Sequence, residues 1–155
     1  MTYRRWIALL SLVSGLVALY LALWKAGFMG RIVCGGAANG CEYVQGSRYG
    51  WFLGVDVAIW GTLLYALIVV VASVGTLPKH EDARWPTTLL LALVGTGVAF
   101  TAYLKFAEFV ILKGFCPWCA VNAVVIVLDL GLVLLDRRRL ARLAAPPAAT
   151  PAPVA

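Results

Sequence analysis

The chain has 155 residues, of which 63% are hydrophobic and only 13% charged, with a formal net charge of +6 and a mean hydropathy of +0.91. That balance excludes a soluble globular domain, which has no use for so much apolar surface. The basic residues sit at the ends of apolar blocks rather than along one stripe, so the positive charge does not call for a nucleic acid.

The first apolar block, Ile7 to Trp24, carries no charge and follows Arg4 and Arg5. At about 1.5 Å of helix per residue it is near the length of a bilayer core, which predicts a membrane helix over residues 6–27. A signal peptide is the competing reading; the run is longer than a usual signal core, and no small-x-small site closely follows Trp24. A long loop from Gly27 to Asp56 carries Cys34 and Cys41. The uncharged block Val57 to Leu77 predicts a second span over 57–77, and the uncharged block Thr87 to Leu104 a third over 87–112. The fourth, Ala120 to Leu135, is interrupted only by Asp129 and reaches spanning length if its helix begins near Cys116 or Pro117, which predicts 117–136. The expected fold is therefore an all-α integral membrane protein, a four-transmembrane-helix bundle forming one domain over residues 1–143. Residues 144–155, rich in Ala and Pro, read as a disordered tail.

Arg4, Arg5, Lys79, Arg84, Arg137, Arg138, Arg139 and Arg142 fall on one side of this arrangement, and Lys25, Arg31, Arg48, Lys105 and Lys113 on or toward the other. The positive-inside rule then puts both termini in the cytoplasm and all four cysteines on the outer face of a bacterial-type inner membrane, where disulfides persist. The Arg137 to Arg139 cluster is a topology anchor. His80, in the short cytoplasmic loop, is expected to face water.

Cys116-Pro-Trp-Cys119 places two thiols three residues apart where the fourth helix begins. Unpaired N–H groups and the helix dipole stabilise a thiolate there, and Pro117 suits the first helical position. Cys119 then lies one turn inside the outer membrane edge, within reach of an apolar quinone ring. Cys34 and Cys41 are separated by Gly-Gly-Ala-Ala-Asn-Gly, a mobile spacer. A flexible pair beside a fixed pair makes a workable thiol–disulfide relay. Four cysteines also admit zinc ligation, though a six-residue spacer without a nearby His fits structural zinc poorly. Both pairs also admit plain bracing disulfides, though a Cys116–Cys119 bridge closes too small a loop to stabilise much.

The order of these features is specific. A spaced pair in the first outer loop, Ser47-Arg48-Tyr49-Gly50, Gly54 before the second span, Tyr103-Leu104 and Glu108, and finally Cys116-Pro-Trp-Cys119 resemble the vitamin K epoxide reductase family over about residues 7–136. The disulfide bond protein B family carries its C-x-x-C in the first outer loop, the reverse order. The resemblance implies a bundle enclosing a quinone of menaquinone, ubiquinone or vitamin K type. It also implies a cap made by the long outer loop with a short interfacial helix, for which Tyr49, Trp51, Phe52 and Leu53 are candidates. It implies that Cys119 reacts with the quinone, that Cys116 resolves it, and that Cys41 relays electrons to Cys116. Cys34 is then the partner of Cys41 in a disulfide reduced by a periplasmic thioredoxin-fold protein. Ser47 matches the family's loop serine, with a role near the loop cysteines or the quinone; a turn or cap is its plainer use.

This chain departs from the family at Asp56, where relatives carry Pro; an acidic residue caps the second span instead. Ala123 stands where animal members have Tyr, which weighs against epoxide reduction as the reaction. Asn122 is the nearest polar group to Cys119 on the same helix and a candidate donor to a quinone oxygen, or a packing residue. Glu108 is expected to pair with Lys105 one turn away, and Asp129 to make a structural hydrogen bond inside the bundle, with proton supply the sharper alternative for each. The function expected is oxidation of a thioredoxin-like partner with transfer of its electrons to a quinone. A quinone or epoxide reductase proper and a disulfide-braced scaffold without catalysis are the alternatives.

Overall fold

A computed structural model describes residues 2–30 and 40–144. Helix α1 (Thr2–Lys25) is followed by the short α2 (Gly40–Gly46), a 3-10 turn at Arg48–Gly50 and a two-stranded antiparallel hairpin of β1 (Trp51–Phe52) and β2 (Val55–Asp56). Then come α3 (Val57–Val74), α4 (Arg84–Phe106), which runs on as a π-helical turn over Ala107–Leu112, and α5 (Pro117–Leu143). Among the described residues, four helices are long and apolar enough to cross a membrane: α1, α3, α4 with its π turn, and α5. The protein is a multi-pass membrane bundle.

The helices form a closed square, α1 against α3 and α5, and α4 against α3 and α5. Its core is a band of Ile7, Tyr65, Ile68, Leu90, Val94, Ile126 and Val133. The patterning is inverted relative to a soluble bundle. Leu9, Leu16, Leu63, Leu67, Val124 and Leu128 point outward, while Arg4, Ser11, Ser14, Asp129 and Asp136 are buried. Lipid accepts the first set and rejects the second, so polar side chains turn inward and find one another. Ser11 Oγ donates to Asp129 Oδ2 at 2.7 Å, the bond expected of Asp129.

Asp56 caps α3 as expected, its Oδ1 accepting the Ala58 N–H at 2.8 Å. At the other end of the bundle Arg4, which reads in the sequence as a topology signal, is almost wholly buried. Its guanidinium pairs with Asp136 Oδ2 at 2.8 Å and also donates to the carbonyls of Gly75, His80 and Ala83 and to Thr87 Oγ1. One side chain thereby gathers carbonyls at the end of α3 and in the connection to α4. His80 is half-buried, its ring edge-on to Trp85 at 5.5 Å rather than free in water. Helix α5 continues to Leu143, past the expected end near 136, because the Arg-rich turn stays helical, with Asp136 and Leu140 still buried.

Candidate functional site

Three described cysteines meet at the end of the bundle where α4 finishes and α5 starts. Cys116 is the N-cap of α5 and Pro117 its first residue. The Cys119 N–H donates to Cys116 Sγ at 3.3 Å, so the two sulfurs are one helical turn apart as the spacing requires. Both are free thiols. Cys41, near the start of α2, is disulfide-bonded; Cys34 lies outside the described residues. Cys41, Val44 and Cys116 form one buried cluster, with Leu112, Trp118 and Cys119 packed on it. Gly114 makes this approach possible, because a Cβ there would sit 2.9 Å from Val44 Cγ2.

The electrostatics favour a thiolate on Cys116, whose pKa is lowered from 9.0 to about 7. The hydrogen bond from the Cys119 thiol is the largest cause, helped by the Cys119 backbone N–H and opposed by burial. Glu108 braces the same cysteine: its Oε1 accepts the Cys116 N–H at 2.6 Å and its Oε2 pairs with Lys105 at 2.6 Å. The expected Lys105–Glu108 pair is present, but the π turn adds a role for Glu108 that α-helical spacing does not reveal. Opening the helix to a π turn at Ala107 leaves Glu108 buried, and Lys113, in the left-handed region at φ 50°, ends the turn with its N–H on the Glu108 carbonyl.

Beside Cys119 lies an apolar cavity of about 430 Å³. Its walls are Leu64, Gly97, Leu104 and Ile126 from the spans, with Tyr49 and Phe52 from the cap above. Phe52 meets Phe100 edge-on at 5.3 Å and Tyr49 meets Tyr103 at 6.4 Å, so aromatic pairs close the cap against α4. The polar residues on its lining include Gln45, Tyr65, Lys105, Glu108 and Asn122, with Thr96 and Thr101 on the third span. The Asn122 carboxamide presents an Oδ1 that is buried without a hydrogen-bond partner. An apolar chamber with a few convergent polar groups, walled in part by a thiol, suits a flat apolar ligand.

The cap is tied down through Lys25. Its ammonium donates to the Gly50 carbonyl at 2.9 Å, pairs with Asp56 at 3.2 Å and lies 4.6 Å from the centre of the Trp51 ring. Gly50 admits no side chain, since a Cβ would strike the Gln45 carbonyl and crowd Lys25.

The structure thus brings together Cys41, Cys116, Cys119 and Asn122. It places Ser47 elsewhere: the hydroxyl donates to the Val44 carbonyl at 2.7 Å and Ser47 does not line the cavity, which is the turn-forming use of the residue. Of the cap candidates, Tyr49 and Phe52 line the cavity, while Trp51 and Leu53 do not and are exposed. The short helix in the outer loop is α2, but the hairpin after it is not visible in the sequence, where Trp51 to Asp56 lacks the alternation of a longer strand pair. Gln45 was also missed. Its Nε2 donates to Cys119 Sγ at 3.2 Å, and its only sequence signal is standing one helical turn after Cys41.

A lipid-facing four-helix bundle with a dithiol at the mouth of an apolar chamber defines a class of membrane redox protein. The family model for the vitamin K epoxide reductase family matches residues 5–134 of this chain. The chain belongs to that family. Membership makes it a membrane oxidoreductase, of a family associated with thiol-redox partners and quinones.

Proposed function

We propose that the protein oxidises a thioredoxin-fold partner through two cysteine pairs and passes the electrons to a quinone, so that disulfides are made in exported proteins. The observation that carries this reading is that Cys41 is buried against Cys116 at the point where Cys119 meets the cavity. Among the described residues, Cys41 lies against Cys116, and Cys116 is one helical turn from Cys119.

In the proposed sequence a partner thiolate attacks the Cys34–Cys41 disulfide, that bond breaks and Cys41 leaves as a thiolate. With Cys116–Cys119 oxidised, Cys41 attacks Cys116: the Cys41–Cys116 bond forms, the Cys116–Cys119 bond breaks, and the electron pair leaves on Cys119. The first exchange leaves Cys34 in a mixed disulfide with the partner; the partner's second thiolate attacks that bond, releasing the oxidised partner and a Cys34 thiolate. Cys34 then attacks Cys41, which breaks the Cys41–Cys116 bond, restores the loop disulfide and leaves Cys116 and Cys119 reduced. A quinone held in the cavity supplies the acceptor for two electrons and two protons, and the Cys116–Cys119 bond re-forms as they depart. Asn122 offers both a donor and an acceptor to a carbonyl or hydroxyl there, and the apolar walls and cap exclude water. The basic end, with Arg84 and Arg137 to Arg142, faces the cytoplasm in this reading, and the cysteine end faces the periplasm.

The test is anaerobic quinone reduction by purified protein with a reduced thioredoxin-fold partner, followed by ultraviolet absorbance. Turnover is expected in the parent and lost in Cys119→Ala, with partner exchange at Cys34–Cys41 still detectable. Quinone turnover persisting in Cys119→Ala overturns the assignment. Loop thiols that never exchange with any partner overturn the relay.

A further inference from the structure

Helix α2 meets the C-P-W-C turn at two points rather than one. Cys41 and Gln45 are four residues apart and share one face of α2. Cys41 packs on Cys116, and the Gln45 carboxamide donates to Cys119 Sγ at 3.2 Å. Gln45 itself is only 7% exposed, so its amide competes with little water for that sulfur. The two contacts have the same register: the position that carries the attacking sulfur faces the sulfur attacked, and the next turn carries a donor facing the sulfur that leaves.

We infer that Gln45 is the group that receives Cys119 as a leaving thiolate, so that α2 brings the nucleophile and the stabiliser of its leaving group as one rigid unit. The inference rests on the relay proposed above and deepens it. In the step concerned, a Cys41 thiolate forms a bond to Cys116 Sγ, the Cys116–Cys119 bond breaks, and the negative charge moves to Cys119 without any proton entering or leaving. A departing thiolate in an apolar wall needs a hydrogen-bond donor, because no bulk water solvates it. The Cys119 N–H is already committed to Cys116 Sγ. Lys105 and Glu108 act on Cys119 from the third span with opposite charge, and they are paired to each other. Gln45 is the neutral donor aimed at the sulfur itself.

The coupling has a consequence for timing. Cys41 and Gln45 leave or arrive together, so Cys119 is stabilised as a thiolate only while α2 is docked, which is when Cys41 can reach Cys116. Movement of α2 toward a soluble partner withdraws the donor and makes cleavage of Cys116–Cys119 unfavourable at the moment when it would be unproductive.

The test uses full-length protein in detergent with Cys116→Ser, which isolates the Cys119 thiol, and follows its alkylation by iodoacetamide against pH. The midpoint of the profile reports thiolate formation, and the plateau reports access. Gln45→Met, similar in size but without a donor, is expected to raise the midpoint by about one pH unit and to slow alkylation near neutrality about tenfold. Gln45→Glu, which places a carboxylate against the sulfur, should move it further in the same direction. Far-ultraviolet circular dichroism identifies any variant that has lost its helices, and the other variant then decides. Midpoints unchanged in a folded Gln45→Met or Gln45→Glu protein overturn the inference, whether or not the plateau moves. If the midpoint shifts but the protein with all four cysteines reduces no quinone, the contact stands and the relay falls, which also removes the leaving-group role. If quinone is reduced and the midpoint stays, Gln45 alone is dismissed.

Discussion

Glu108 and Cys116 are joined by a 2.6 Å hydrogen bond in which a buried carboxylate accepts the backbone N–H of the helix-capping cysteine. The same carboxylate binds Lys105, so the position of the reactive turn is set by a side chain eight residues earlier on another helix. Glu108→Ala removes both bonds and is expected to lower quinone turnover about tenfold or more. Glu108→Gln keeps an acceptor for Cys116 and should retain more activity than Glu108→Ala. Equal turnover in the two variants would show that the charge facing Lys105, rather than the bond to Cys116, is what matters.

Because Cys116 titrates near pH 7 rather than 9.0, its thiolate predominates in the reduced folded protein above about pH 7. The lowered value stabilises the reduced fold fully above pH 9.0, the ordinary thiol value, and that contribution is lost as pH falls toward about 7. Thiolate absorbance of the reduced protein should show a midpoint near 7. Cys119→Ala removes the largest cause of the shift and should carry the midpoint up toward 9.0. A midpoint that stays near 7 in that variant would assign the shift to the residue-119 backbone N–H and the charge of Lys105.

Arg4 and Asp136 are each 1% exposed and lie 2.8 Å apart. Removing one partner strands the other in a desolvated site, so Arg4→Met and Asp136→Leu are each expected to destabilise the bundle by about 3–5 kcal/mol. The double variant should recover part of that loss, since no unpaired charge remains. Thermal unfolding in detergent measures all three. Additive losses in the double variant would mean that the two residues act independently.

Lys25 holds Gly50, Asp56 and Trp51 from the end of α1. Lys25→Met keeps the aliphatic stem and deletes the ammonium, which should loosen the cap over the cavity. The expected result is a several-fold rise in quinone KM with a smaller change in kcat, together with faster proteolysis near Trp51. A changed kcat at constant KM would place Lys25 in the chemistry instead of the cap.

The four spans were legible because uncharged runs of spanning length admit little else in so apolar a chain. The C-P-W-C turn was legible for a local reason: Pro117 and the spacing of Cys116 and Cys119 define a helix start without help from the rest of the fold. What stayed hidden depends on contacts between elements. Nothing near Arg4 in the chain announces that it is buried, since its partners come from three later segments. The π turn places Glu108 by breaking the periodicity on which helical reading depends. Gln45 gains meaning only when α2 lies across the start of α5, and which of its two expected uses Ser47 takes, the turn, is set by the nearby Val44 carbonyl that accepts its hydroxyl.

The Arg4 cluster also bears on how the chain is assembled. Arg4 belongs to α1 and Asp136 to α5, 132 residues later in the chain. Until the fourth span is inserted the guanidinium lacks its counter-charge, and it stays solvated at the membrane surface, where its cost is lowest. Arrival of α5 lets it sink between the spans and draw the connection between α3 and α4 against both. The square therefore closes only once α5 is in place, and a chain truncated before Asp136 is left with an open seam along α1.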